Sequence, residues 1–187
     1  MEIGETLHLT TRRAWRSWLS KHYKTEGEIW LVYNKKETGK PRISYNDAVE
    51  EALCFNWIDS TVKKLDSERF AQRFSRRKPG SSYSQANRER LRALAAEGLV
   101  MPEVLEGLGD IATEEFEFPP DILQAISANQ QAWENFQKFS DPYKRIRIAF
   151  IDGARKRPDE FQKRLRHFIR MTEQNKIFGF GGIEKHY

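Results

Sequence analysis

One cysteine, Cys54, is the first residue whose type could do nucleophilic chemistry. A thiol attacks as its thiolate, so the neighbouring charges decide its reactivity. Helical spacing sets Cys54 on the side of Asp47, Glu50 and Glu51, whose charges raise a thiol pKa, while His8, His22, His167 and His186 lie in other elements. The plainer reading is a small packing residue. A lone thiol has no partner for an intramolecular disulfide or a thiolate metal site, which suits a reducing compartment. No zinc-ligand spacing, phosphate-binding loop or dinucleotide fingerprint occurs, so neither a metal nor a cofactor is expected. The catalytic residues, if any exist, have no evident base or nucleophile among them.

A second set is Trp57, Asp59, Arg73 and Arg77, followed by Ser81, Ser82, Tyr83, Ser84, Asn87 and Arg88. A carboxylate beside two guanidiniums can orient them for an anion, and serines that open a helix bring free backbone N–H groups to the same place. Trp57 or Tyr83 could supply a plane for stacking. The competing reading is an ordinary salt bridge on a sheet face and ordinary helix caps. The ligand-binding candidates are therefore Trp57, Asp59, Arg73, Arg77, Ser82, Tyr83, Ser84, Asn87 and Arg88, and the partner they suit is an anionic small molecule.

Charge is unevenly spread. The chain carries 32 Lys and Arg against 27 Asp and Glu, a net of +5. Residues 69–92 hold eight basic residues and the single acid Glu89, whereas residues 103–121 hold only acids. Either the two stretches face each other or water, or the first forms an anion-binding face. A further basic series, with Lys144, Arg145, Arg147, Arg155, Lys156, Arg157, Lys163, Arg164, Arg166 and Arg170, decorates two C-terminal helices. A solvated face is the default for it; a nucleic-acid surface is the less favoured alternative.

These residues need elements to hold them. Thr11 precedes a helical pattern over 12–23, with Trp15, Trp18, Leu19 and His22 at three- and four-residue spacing. The run from Ile29 to Tyr33 reads as a largely buried strand, and residues 34–42 as a turn. Ser44 caps a second helix with Ala48, Val49, Ala52 and Leu53 on one face and the acids Asp47, Glu50 and Glu51 on the other. From Trp57 the period becomes two: residues 57–65 and 69–77 form a hairpin about Asp66-Ser67-Glu68. A three-residue loop sets Ile58, Val62, Phe70 and Phe74 on one buried face. The other face then carries Trp57 and Asp59 beside Arg73, Ser75 and Arg77, with Asp59 opposite Ser75.

Ser82 and Gln85 have capping-box spacing before a helix that runs to Gly98. A short helix follows over 101–108, and an acidic stretch ending in Phe118-Pro119-Pro120 is the one candidate linker. Beyond it the pattern is helical throughout, with Trp133, Phe136 and Phe139 needing a surface to cover, and the chain ends in a glycine-rich tail at 178–182. The expected fold is α+β: a small antiparallel sheet of three strands with helices over residues 1–113, then an all-helical part over 119–187 packed on it as one structural unit.

The 187 residues include five Trp, twelve Phe and six Tyr, enough large side chains for a core. No basic and apolar leader opens the chain, and no eighteen apolar residues run together. The expectation is a cytoplasmic protein with no membrane contact.

The stretch Tyr45-Asn46-Asp47-Ala48-Val49-Glu50-Glu51-Ala52-Leu53-Cys54-Phe55-Asn56-Trp57-Ile58-Asp59-Ser60 and the stretch from Arg76-Arg77-Lys78-Pro79-Gly80 to Asn87-Arg88 resemble motifs of the YdeI/OmpD-associated, bacteriocin-protection (OmdA-like) family. Residues from Pro119-Pro120-Asp121 to Arg155-Lys156-Arg157 are similar to that family's C-terminal region. Asn56 stands where the family usually has Gly, Tyr83 where it has Trp, and Pro158-Asp159-Glu160 departs from the family's run. The resemblance implies no defined reaction; it implies a binding or regulatory protein whose link to envelope stress or bacteriocin protection is indirect. An enzyme acting on a phosphorylated or carboxylated small molecule is the alternative, and a nucleic-acid binder the third reading.

Overall fold

The structure, a computed structural model, describes residues 2–109, 114–179 and 183–186. The chain divides into two compact units: Met1–Ser82 with Leu91–Ala112, and Tyr83–Arg90 with Thr113–Tyr187. The architecture is α+β, as the sequence pattern predicts.

The first unit is built on a four-stranded sheet in the order β1-β2-β4-β3, formed by β1 (Thr6–Leu7), β2 (Glu28–Asn34), β3 (Trp57–Lys64) and β4 (Arg69–Arg76). Three of these strands are expected from the sequence. The fourth, β1, pairs in parallel with β2 and makes the sheet mixed; at two residues it is too short to show any period. Helix α1 (Arg12–His22) starts where Thr11 accepts from the Ala14 N–H, and α2 (Tyr45–Cys54) where Ser44 accepts from the Asp47 N–H. Both caps are legible in the sequence.

Partners across a ladder share a face, so the register assigns the sides. Ile29 opposite Phe74, Leu31 opposite Gln72 and Tyr33 opposite Phe70 form the face under the helices, where Trp15 packs on Phe74 with ring centroids 5.3 Å apart. Trp30 and Val32, opposite Arg73 and Ala71, point the other way into a smaller cluster.

The hairpin forms, but its faces differ from expectation. Near the turn the pairing is the expected one, with Val62 opposite Gln72 and Lys64 opposite Phe70. Between Asp59 and Val62 a bulge shifts the register by one, so Asp59 lies opposite Phe74 and Ile58 opposite Ser75. Ile58 thus leaves the Phe70/Phe74 face, and Val62 stays on it but is 55% exposed. The slip turns Trp57 toward α1, where it is fully buried, packs edge-on to Trp18 and donates from Nε1 to the Tyr23 carbonyl at 3.2 Å. A one-residue shift moves every side chain beyond it to the opposite face, and the burial of a tryptophan is worth several kcal/mol, about 1.5–3 or more.

Asn56, just before β3, has φ of 57°, in the left-handed region that glycine adopts freely and asparagine tolerates best among the rest.

Helix α3 (Gln85–Ala96) begins two residues later than the Ser82 cap predicts: Ser84 Oγ accepts from the Asn87 N–H at 3.3 Å. Its last half, with buried Leu91 and Leu94, belongs to the first unit together with α4 (Pro102–Leu108). Its first half belongs to the second unit because Glu89 takes a two-pronged bond from Arg145, Nε and Nη2 both at 2.8 Å, and Arg88 pairs with Glu114.

The second unit is helical, with α5 (Pro120–Ser127), α6 (Gln130–Lys138), α7 (Asp141–Asp152) and α8 (Pro158–Glu173) around a core that includes Ile122, Phe136, Tyr143, Ile151 and Phe168. Buried Asn135 donates to the carbonyls of Thr172 and Glu173 at 2.9 and 3.2 Å, satisfying the free end of α8. Part of the candidate linker, residues 110–113, and part of the predicted tail, residues 180–182, lie outside the described residues.

Candidate functional site

The residues singled out in the sequence do not converge. The bulge sets Asp59 and Arg73 on opposite faces of the sheet, since Asp59 pairs with Phe74 and Arg73 is the next residue along β4. Arg73 instead grips Glu28, its Nε 2.9 Å from Oε2, and this pairing lowers the Glu28 pKa from its ordinary value. Arg77 bonds the chain that follows it: Nη2 donates to the carbonyls of Ser81 and Ser82 at 3.0 and 2.9 Å. Trp57 is too buried to offer a stacking plane. Tyr83, Ser84, Asn87 and Arg88 fall in the second unit, where Asn87 Oδ1 accepts from Arg90 at 3.0 Å and Arg88 pairs with Glu114.

Cys54 behaves as the sequence predicts. It is buried, and burial first, then the Glu51 charge, pushes its thiol up to about 11 against the pull of Arg16. The acids around it are not solvated, however. Glu50 and Glu51 are 1% and 2% exposed and are held by α1: Arg12 Nε meets Glu51 at 2.5 Å, Arg12 Nη1 meets Glu50 at 2.9 Å and Asp47 at 3.1 Å, and Arg16 Nη1 meets Glu51 at 2.7 Å. Burial opposes the charge on Arg12, but the Glu51 bond and the three carboxylates raise its pKa nonetheless.

What Asp59 does join is a cleft of about 570 Å³ on the helix side of the sheet, lined by Tyr33, Lys36, Arg42, Tyr45, Asp59, Ser60, Val62, Phe70 and Gln72. Sequence reasoning found only Asp59 among these. Each wall residue has a local reason to be there. Tyr33 and Phe70 are cross-strand partners and stack with centroids 5.0 Å apart and planes at 2°. Lys36 sits on a single 3-10 turn (Lys36–Thr38) that ends at Gly39, whose φ of 64° turns the chain back toward Arg42. Tyr45 is the first residue of α2.

Inside the cleft, Asp59 Oδ2 accepts from Tyr45 Oη at 2.9 Å and from Gln72 Nε2 at 2.7 Å. The Tyr33 hydroxyl is different: Tyr33 is 2% exposed and its Oη has no hydrogen-bond partner among the described residues. Burial, and after it the charge of Asp59, pushes its pKa well above the ordinary tyrosine value, so the group stays a neutral hydroxyl. An unmet buried hydroxyl costs about 1–3 kcal/mol, which makes it a place where a ligand atom gains by binding.

One signal in the sequence marks this site: Gln72 sits between Phe70 and Phe74 on the inward side of a strand, where an apolar residue belongs. A polar side chain there needs a polar partner. Among the described residues no group of His, Cys, Asp and Glu is placed to hold a metal ion, and no helix is long and apolar enough to cross a membrane.

Residues 115–175 match the model of the family described as Bacteriocin-protection, YdeI or OmpD-Associated. Residues 7–107, which contain both N-terminal motifs and the cleft, match the model of a domain of unknown function (DUF8412). No curated protein and no solved structure matches the chain. With the model of the domain of unknown function covering more than half of its 187 residues, the chain belongs to the DUF8412 family, and its residues 115–175 are similar to the YdeI/OmpD-associated, bacteriocin-protection family.

Proposed function

We propose that this is a non-catalytic, cytoplasmic binding protein for an anionic small molecule, and that the molecule binds in the Tyr33–Asp59 cleft. The observation that carries this reading is the unpartnered Tyr33 hydroxyl in a cleft that also holds Lys36 and Arg42. Its volume of about 570 Å³ falls within the range of small-molecule sites, roughly 300–1,000 Å³. Two cations against one carboxylate favour an anion, and Asp59 is already engaged by Tyr45 and Gln72. A regulatory role is favoured over catalysis because the chain's one cysteine, Cys54, is a buried, protonated thiol. The protection against bacteriocins in the name of the matched family is, on this reading, an indirect consequence of binding.

A nucleic-acid role for the C-terminal basic helices is less well supported. Arg145, Arg155 and Arg164 are each bonded to carboxylates, those of Glu89, of Asp121 and Asp152, and of Glu160. Pairing of this kind leaves less charge for a phosphate backbone.

The test is a thermal-shift screen of small carboxylates and phosphates against the whole protein. A ligand at a hundred times its Kd should stabilise the fold by about 2.7 kcal/mol, and a Lys36→Ala/Arg42→Ala variant should lose that response. The reading fails if no anion stabilises the protein, or if the double variant responds as the parent does.

A further inference from the structure

Resting on that reading, we propose a narrower ligand class: a planar heterocycle that carries an acid group and presents, on one ring edge, a hydrogen-bond acceptor next to a donor.

The acceptor is called for by Tyr33. Its hydroxyl is buried, neutral and without a partner, and a neutral phenol is a strong donor. The donor is called for by Asp59. Both of its bonds run to Oδ2, from Tyr45 and Gln72, and among the described residues Oδ1 accepts from no side chain or backbone N–H. A carboxylate has room for about four donors in all. Asp59 and Tyr33 line the same cleft, so one ligand can meet both groups.

The planar body is called for by the walls. One ring face of half-buried Phe70 is covered by Tyr33, and its remaining surface lines the cleft with Val62 and Tyr45, which are 55% and 44% exposed. Exposed apolar residues scattered singly mean little, but three around one cavity suit a ring that is apolar on its faces and polar at its edge. The acid group is called for by Lys36 and Arg42 on the same cleft. Arg42 has one long contact, Nη1 to the Asn34 carbonyl at 3.4 Å, which leaves most of its guanidinium for a carboxylate or phosphate. A lactam edge, –NH–C(=O)–, in an acid-bearing heterocycle has this pattern, whether the acid is a carboxylate on the ring or a phosphate on an attached sugar.

The experiment is calorimetric titration of the whole protein with orotate and uridine 5′-monophosphate, which share the lactam edge and differ in the acid. Benzoate, ribose 5-phosphate and inorganic phosphate serve as probes that lack the edge. Orotate or the nucleotide should bind at least tenfold more tightly than the probes, and which of the two does so identifies the acid. Tyr33→Phe and Asp59→Asn should each remove that advantage; Asp59→Asn, which takes a negative charge out of the cleft, should bind benzoate and phosphate no more weakly than the parent, and the melting temperature of Tyr33→Phe should not fall. Equal binding with and without the edge, or an advantage that survives Tyr33→Phe, overturns this inference while leaving anion binding intact. No binding by any of the acids overturns both.

Discussion

Two charged constellations sit in the first unit, and they are resolved in opposite ways. At the junction of α1 and α2, Arg12 and Arg16 meet Asp47, Glu50 and Glu51, and the nearly inaccessible Glu50 and Glu51 each have a guanidinium partner. On the cleft, Tyr33 is equally inaccessible and its hydroxyl has no hydrogen-bond partner among the described residues, where Asp59 is bonded on one oxygen only. Burial of polar groups is costly in both places. Only at the junction is the cost offset within the described residues, so that cluster reads as architecture, and the cleft is where the proposed ligand would offset it.

The largest effect that would sharpen this contrast comes from Arg12. Arg12→Ala takes a guanidinium from two buried carboxylates, of which Glu51 keeps Arg16; breaking such a pair costs about 3–5 kcal/mol, and since Arg12 is itself a third exposed, about 3 kcal/mol is expected, measured by denaturant unfolding. Arg42→Ala, read in the same way, should cost less than about 1 kcal/mol, because the bond it removes is a long one, 3.4 Å to the Asn34 carbonyl. Equal losses in the two variants would break the distinction.

A smaller effect is expected at high pH. Cys54 has its folded-state pKa raised from 9.0 to about 11, so the protonated thiol contributes stability that is fully present below pH 9 and lost as the pH rises to about 11. In that window the unfolding free energy should fall by about 1.4 kcal/mol per pH unit for this proton. Tyr33, whose hydroxyl is also pushed above its ordinary value of 10.0, adds to the fall above pH 10. Cys54→Ala should remove the first part of the slope and Tyr33→Phe the second. An unchanged slope in Cys54→Ala would show that the thiol is not buried as described.

The smallest effect is the most telling. Tyr33→Phe removes a hydroxyl that bonds to nothing, so stability should not fall and should rise by about 1 kcal/mol, the low end of the penalty for an unmet buried group. A loss above about 1.5 kcal/mol would mean that the hydroxyl is satisfied within the fold, and the cleft would then resemble the junction.

Much of the first unit was legible residue by residue. The Thr11 and Ser44 caps, the strand through Ile29 to Tyr33 and the turn at Asp66-Ser67-Glu68 each depend on neighbours within four positions, and each forms where the sequence puts it. The protonated state of Cys54 was legible for part of the right reason: the acids contribute, but burial contributes more. The candidate site was not legible beyond Asp59. Arg73 and Arg77 were grouped with it by extending one register along the whole hairpin, and Trp57 was taken as available when its ring fills the core.

What the sequence determined by itself are the features fixed by short-range geometry: periods of two and 3.6, helix caps, and the positive φ that Asn56 tolerates just before β3. What only the tertiary structure decided is where that regularity is broken and which polar groups are paired. The bulge between Asp59 and Val62 exists because Trp57 gains more by reaching Trp18 and the Tyr23 carbonyl on α1 than the ladder loses by slipping one place. The burial of Glu50 and Glu51 depends on arginines more than 30 residues away, and the isolation of the Tyr33 hydroxyl on side chains from β3, β4 and α2 that stop short of it. Contacts between distant segments carry no local period, so these outcomes follow from packing and desolvation summed over the folded unit.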